Sequence, residues 1–339
     1  MRFFIVLIIC IQKIISAFEQ LPENIDKLAL SCINNVYSEK FKQADSDSKQ
    51  IIKKYPDHPA GYFFYASVLN ALMEYLQSEE YENEFYQYCN IAIEKGEKLL
   101  DEDQNDFWAQ FFIAGSNGLK GTYESRYDRW LTAFKHGWRG VEIFREILKK
   151  YPDFNDINYG ISTYDYWRSA KTKMLWWLPG VEDKRDESIA ILFSLVENGK
   201  YVKENASLSL IDILSNEKKY EDSFPVIKNF LNNYPDNLTC WWKKLHIEIE
   251  VKRIEDAEKS CEYILKRVES GNFNNNYNSL LIHYYYSKLY YVKKRYDLCL
   301  KELTFIKSLE LTSISQKRLE DKFKDLSSLE KKVKKMLNK

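Results

Sequence analysis

Three stretches of this chain repeat one another: IIKKYPDHPAGYFFYA at 51–66, ILKKYPDFNDINYGIS at 147–162 and FLNNYPDNLTCWWKKL at 230–245. Each closes a run of helical spacing with an aromatic residue, passes through Pro-Asp, and opens another run. Proline cannot continue a helix, and it pushes the residue before it out of helical angles, so each Tyr-Pro-Asp reads as a helix stop and a short turn. A chain with 11 Gly and 7 Pro in 339 residues lacks the turn residues that an all-β protein needs. Helices joined by short turns are what remains.

The register of these helices resembles the tetratricopeptide repeat, a helix-turn-helix unit of about 34 residues. That pattern wants a large residue and then a small one on its first helix. Its second helix opens on an aromatic, carries a small residue and two apolar ones, and closes before proline. Aligned on Pro56, the small residues are Cys32 and Ala44, the aromatic Phe41 and the closing apolar residue Ile51; the next unit opens with Tyr62 and Ala66. Aligned on Pro235, Tyr220, Ser223, Ile227 and Phe230 fall into place. Trp241 and Ala257 mark the following unit, where Leu245 takes the small position, and Tyr296, Cys299, Leu303 and Ile306 mark the last. Small residues let paired helices approach, large ones fill the gaps, and a unit unable to bury its face alone stacks on its neighbours. The resemblance spans 22–100 and 200–310. It implies an all-α, right-handed α-solenoid of about five to six units, and a protein-binding role with no cofactor.

Between 101 and 199 the register loosens. Residues 107–121 read as one helix with small Ala114, Gly115 and Gly118, and residues 129–151 as a second that closes at Pro152. The Tyr-Asp-Tyr-Trp run and the Leu-Pro-Gly that follows depart from the repeat. This centre is similar to a divergent tetratricopeptide class in exported bacterial proteins, and more distantly to an inclusion-clearance tetratricopeptide family.

Both ends carry their own signals. Arg2, the apolar run Phe3–Ile11 and Ile15-Ser16-Ala17 form a secretory signal over 1–17, cleaved before Phe18; nine apolar residues fall short of the roughly 20 that span a bilayer. Lys13 leaves an uncleaved anchor as the alternative, and the bulky residue before Cys10 argues against lipid attachment there. Export, periplasmic or beyond, is the expectation. From Ser313, Leu319, Phe323, Leu326, Leu329, Val333 and Leu337 make one apolar stripe on a charged helix, the C-terminal cap that closes a solenoid over 313–339.

Charge and chemistry exclude more than they assign. Without 1–17 the chain has 48 basic and 50 acidic residues, which argues against a nucleic-acid surface. Cys32, Cys89, Cys240, Cys261 and Cys299 are scattered, odd in number and without a Cys-x-x-Cys pair, so they read as small core residues. His58, His136, His246 and His283 show no metal-ligand spacing, and His283 falls on a packing position. No phosphate loop or nucleophile elbow occurs. The sequons at Asn205 and Asn237 matter only in a glycosylating pathway.

The aromatic and basic residues of the centre are the candidate site. Arg126, Arg129, Trp167, Arg168 and Lys171 are expected to face a partner polypeptide on the concave side of the solenoid. Against this stands plain packing of Trp130, Trp138, Trp167 and Trp176 where the repeat is interrupted. A third arrangement lays Met174–Leu178 on a membrane surface, with Lys171 and Lys173 at the headgroups. The rival function is a small-molecule or glycan protein using a central cleft, with Asp165 as its nearest carboxylate.

Overall fold

The computed structural model describes residues 20–172, 182–270 and 275–338, and among these every regular element is a helix. The first arm comprises α1 (Glu23–Tyr37), α2 (Phe41–Lys54), α3 (Ala60–Leu76) and α4 (Glu82–Glu102). The centre holds α5 (Phe107–Arg126), α6 (Trp130–Lys150), α7 (Ile157–Lys171) and α8 (Arg185–Asn198). The second arm runs through α9 (Lys203–Asn216), α10 (Tyr220–Asn233), α11 (Leu238–Glu250), α12 (Ile254–Ser270), α13 (Asn276–Val292) and α14 (Tyr296–Ser308). It ends in α15 (Ser313–Arg318) and α16 (Glu320–Leu337). From α1 to α14 each helix packs on the next, giving an all-α solenoid of seven hairpins among the described residues, more than the repeat count expected from sequence. Met174–Leu178 lies outside those residues.

The small positions of the repeat are the points of closest approach. Ala44, Ala66, Ala257 and Cys299 are wholly buried, and Ser223 with them. Across the first hairpin the Cys32 thiol donates to the Ala44 carbonyl at 3.5 Å; across the last regular one Cys299 donates to Ser287 at 3.2 Å. Burial pushes the Cys89 and Cys240 thiols up to about 12, so they sit in the core as small apolar groups. The apolar residues Ile51, Ile227, Phe230, Leu303 and Ile306 complete a core that runs between hairpins.

One turn recurs throughout. Glu39, Asp128, Lys218, Lys252 and Lys294 each hold φ between 56° and 61°, immediately before a basic residue and then the first residue of an outer helix. The basic residue is Lys40, Arg129, Lys219, Arg253 or Arg295, and each donates its backbone N–H back to the preceding helix, satisfying its last carbonyls.

The solenoid curls until its arms meet. The inner helices touch in the order α3, α5, α7, α9, α11, and α11 returns to α3, so among the described residues no open groove runs between the two arms. Polar pairs bridge this circuit: Arg126 on α5 to Asn70 and Glu74 on α3, Tyr159 on α7 to Ser209 on α9, and Lys243 on α11 to Asp212 on α9. At the closure Glu39 accepts from the Leu238 N–H and pairs with Arg267 at 2.7 Å. Tyr37 packs on Phe230 and Tyr234, and Asn237 donates to the Tyr37 carbonyl. Lys200 and Tyr201 both reach Asp26.

The C-terminal stripe forms two helices where the sequence predicts one. Leu319 breaks the run and is buried to 1% exposure, while Arg318 turns back to the Gln77 carbonyl and inserts between the rings of Tyr127 and Tyr277. Leu326, Leu329 and Val333 are buried in the second arm, but Leu337 is exposed.

Candidate functional site

Placement of the central side chains follows from the turn. Asp128 takes the left-handed residue, Arg129 the basic position and Trp130 the aromatic that opens the outer helix, matching Lys219 and Tyr220 in the second arm. The centre is therefore in register at its turn. Its helices are extended at the far end, which is why an alignment anchored on Pro152 loses it. The repeated dipeptide, basic then aromatic, at Lys40-Phe41, Arg129-Trp130, Lys219-Tyr220 and Arg295-Tyr296, is the sequence signal that would have recovered it.

Glycines let α5, α6 and α7 lie close. A Cβ on Gly140 would stand 2.5 Å from the Ala114 carbonyl oxygen, and one on Gly121 3.0 Å from that of Ala133. On the other side a Cβ on Gly137 would meet the Tyr164 ring at 2.8 Å, so that ring rests against the α6 backbone. Aromatic residues then line the α6–α7 junction. Trp130 packs on Trp167 at 5.7 Å and on Phe134 at 5.8 Å, Phe134 on Tyr164 at 5.9 Å, and Tyr164 on Trp138 at 6.3 Å. The Trp130 indole N–H donates to Asp128.

Cations overlie these rings. The Lys171 ammonium sits 4.0 Å from the Trp130 centroid and 5.9 Å from that of Trp167, and Arg145 lies 5.9 Å from Trp138. Burial, with Lys120, Arg139 and Lys135 nearby, holds the His136 imidazole below its usual range.

The five candidate residues divide into two groups. Trp167 and Lys171 come together on α7 against Trp130, while Arg168 on the same helix faces Asp165. Arg126 and Arg129 instead stand over the Tyr123 and Tyr127 rings and engage carboxylates: Arg126 with Glu74 at 3.1 Å, Arg129 with Glu124 and, at 3.4 Å, Glu82. The packing reading holds for Trp167, which abuts the core of α8–α11, but not for Trp138, which is 46% exposed. Trp176 lies outside the described residues. Leu131, which the sequence did not single out, is 90% exposed beside them.

Asp165 is buried and is the counter-ion of Arg145 at 2.7 Å, with Arg168 at 3.8 Å. His283 pairs with Glu302 between α13 and α14 and packs on Phe305. Among the described residues no group of His, Cys, Asp or Glu is placed to hold a metal ion.

No protein-family model and no curated protein matches this chain. Among solved structures, it is similar to a tetratricopeptide repeat protein from Parabacteroides merdae ATCC 43184, with a TM-score of 0.38 and 9% identity over 92% of this chain and 99% of that one. A second similarity is to the APC/C hetero-tetramer Cut9–Hcn1, with a TM-score of 0.25 and 13% identity over 92% of this chain and 71% of that one. Its own buried small positions and recurring turns make this chain an all-α solenoid of helical hairpins, with a spacing that resembles the tetratricopeptide repeat.

Proposed function

We propose that this protein is an exported, non-catalytic scaffold that binds a partner polypeptide where α6 meets α7, without a cofactor. The observation that carries the reading is the junction itself. Lys171 is held over the Trp130 ring, Trp130 packs on Trp167, and Arg168, next to Trp167 on α7, faces Asp165 at 3.8 Å. Preset aromatic and cationic side chains lose little entropy on binding, which is what makes such residues strong anchors. Arg129 borders this surface through its neighbour Trp130. Arg126 acts on the frame, tying α5 to α3. The N-terminal sequence supports export.

The rival small-molecule or glycan reading requires a carboxylate available to a ligand, and Asp165 is already committed to Arg145. Affinity capture from a cell-envelope extract tests the proposal, comparing the protein with an Arg168→Glu, Lys171→Glu variant of equal thermal stability. A polypeptide retained by the first and lost by the second is the expected outcome. Equal retention by both places the contact elsewhere and overturns the assignment.

A further inference from the structure

The outward side of α6 changes character along its length. Its second half presents Glu142, Glu146, Lys149 and Lys150, an ordinary solvated face of mixed sign. Its first half presents Leu131, Thr132, Lys135, Trp138 and Arg139, with no acid between Arg129 and Val141. Leu131 is 90% exposed and Trp138 46%. Seven residues apart, they project from the same side of the helix about 10 Å from one another.

Neighbouring acids do not neutralise this face. Glu124 on α5 is taken by Arg129, Asp165 on α7 is buried against Arg145, and Glu142 pairs with Arg145 at 2.9 Å. Asp128 accepts from the Trp130 indole. Lys135 and Arg139 remain beside the two apolar projections, and neither is in an ion pair among the described residues.

We propose that this half of α6 docks on an anionic lipid surface. Leu131 and Trp138 enter the boundary between headgroups and acyl chains, and Lys135 and Arg139 meet lipid phosphates. Charge complementarity selects this occupant: an acid-free basic rim around apolar side chains fits a negatively charged interface, where tryptophan is favoured. Shape agrees. Leu131 and Trp138 project from a convex helix, which suits a yielding surface more than a peptide that needs a groove. The proposal is independent of the partner bound at the α7 junction, since Trp167, Arg168 and Lys171 take no part in it.

The test is co-sedimentation of the full chain with vesicles of phosphatidylcholine alone or with about one third phosphatidylglycerol. The expected result is binding to the anionic vesicles that a Leu131→Ser, Trp138→Ser variant weakens about tenfold and high salt reduces. A Lys135→Glu, Arg139→Glu variant should lose the preference for phosphatidylglycerol. The apolar N-terminal run is present in every protein compared, so the differences report α6. All four positions are exposed, and unchanged circular dichroism melting confirms folding. Equal sedimentation of all three proteins, or none by the unaltered chain, overturns the proposal. So does variant-sensitive binding to soluble polyglutamate without vesicle binding, which would assign the face to an acidic polypeptide.

Discussion

The regular arms and the central hairpin solve one packing problem with different residues. In the arms, paired helices approach across Cys, Ala or Ser, and side chains as large as a thiol fit between the backbones. In the α5–α6 hairpin the crossing is made by Gly121 and Gly140, where even a methyl group would press on a carbonyl oxygen. The central pair is also long. Helices of 20 and 21 residues run side by side for longer than a pair such as α9–α10, each of 14 residues, and a close axis keeps them in contact throughout. Such an approach leaves little room for large residues between the helices, so aromatic residues crowd the flanks, and the α6–α7 junction results.

Gly140→Leu should break the comparison hardest. Overpacking against Ala114 is expected to cost about 3 kcal/mol or more, read as a lower urea midpoint. An unchanged midpoint would mean that the centre tolerates what the arms do.

The closure of the arms should respond to pH. Burial pushes the Glu39 carboxyl from 4.5 up to about 7, outweighing the Leu238 N–H and Arg267. The folded protein then keeps a proton that the unfolded chain has released, so stability falls as pH rises from about 4.5 to 7, by roughly 3 kcal/mol. Glu39→Gln should flatten that slope, and parallel stability–pH curves for the two proteins would remove Glu39 from the closure.

Ser223→Ala sharpens the contrast at a regular small position. The buried Ser223 hydroxyl has no hydrogen-bond partner, so its removal should raise stability by about 1 kcal/mol, opposite in sign to any enlargement at Gly140. A loss on calorimetric melting would show that the hydroxyl matters after all. Smallest is Lys252→Gly at a left-handed turn residue, φ 61°, where relief of strain should add about 0.5 kcal/mol. A clear drop in melting temperature would contradict that reading of the turn.

Much of this fold was legible because a repeat states its packing rule several times. Cys32, Ala44, Ser223, Ala257 and Cys299 are each ambiguous alone, yet in register they located the helix crossings. The centre was harder to read because extended helices displace Pro152 from the repeat's frame, while the turn at Asp128 keeps it. Of the candidate site, Trp167, Arg168 and Lys171 were found together on α7. Arg126 and Arg129 were not separable from them in sequence, because Glu74, which claims Arg126, and Glu82, the second partner of Arg129 after Glu124, lie some fifty residues away on other helices.

The sequence by itself determined helices, turns and the order in which hairpins stack, since these depend on spacing within about 34 residues. Tertiary structure alone decided that the solenoid closes, with Glu39 meeting Arg267 and Tyr37 meeting Tyr234. It also decided that Trp138 and Leu131 face outward. Closure sums small rotations between hairpins over the whole array, and exposure depends on which neighbour arrives; neither quantity is local.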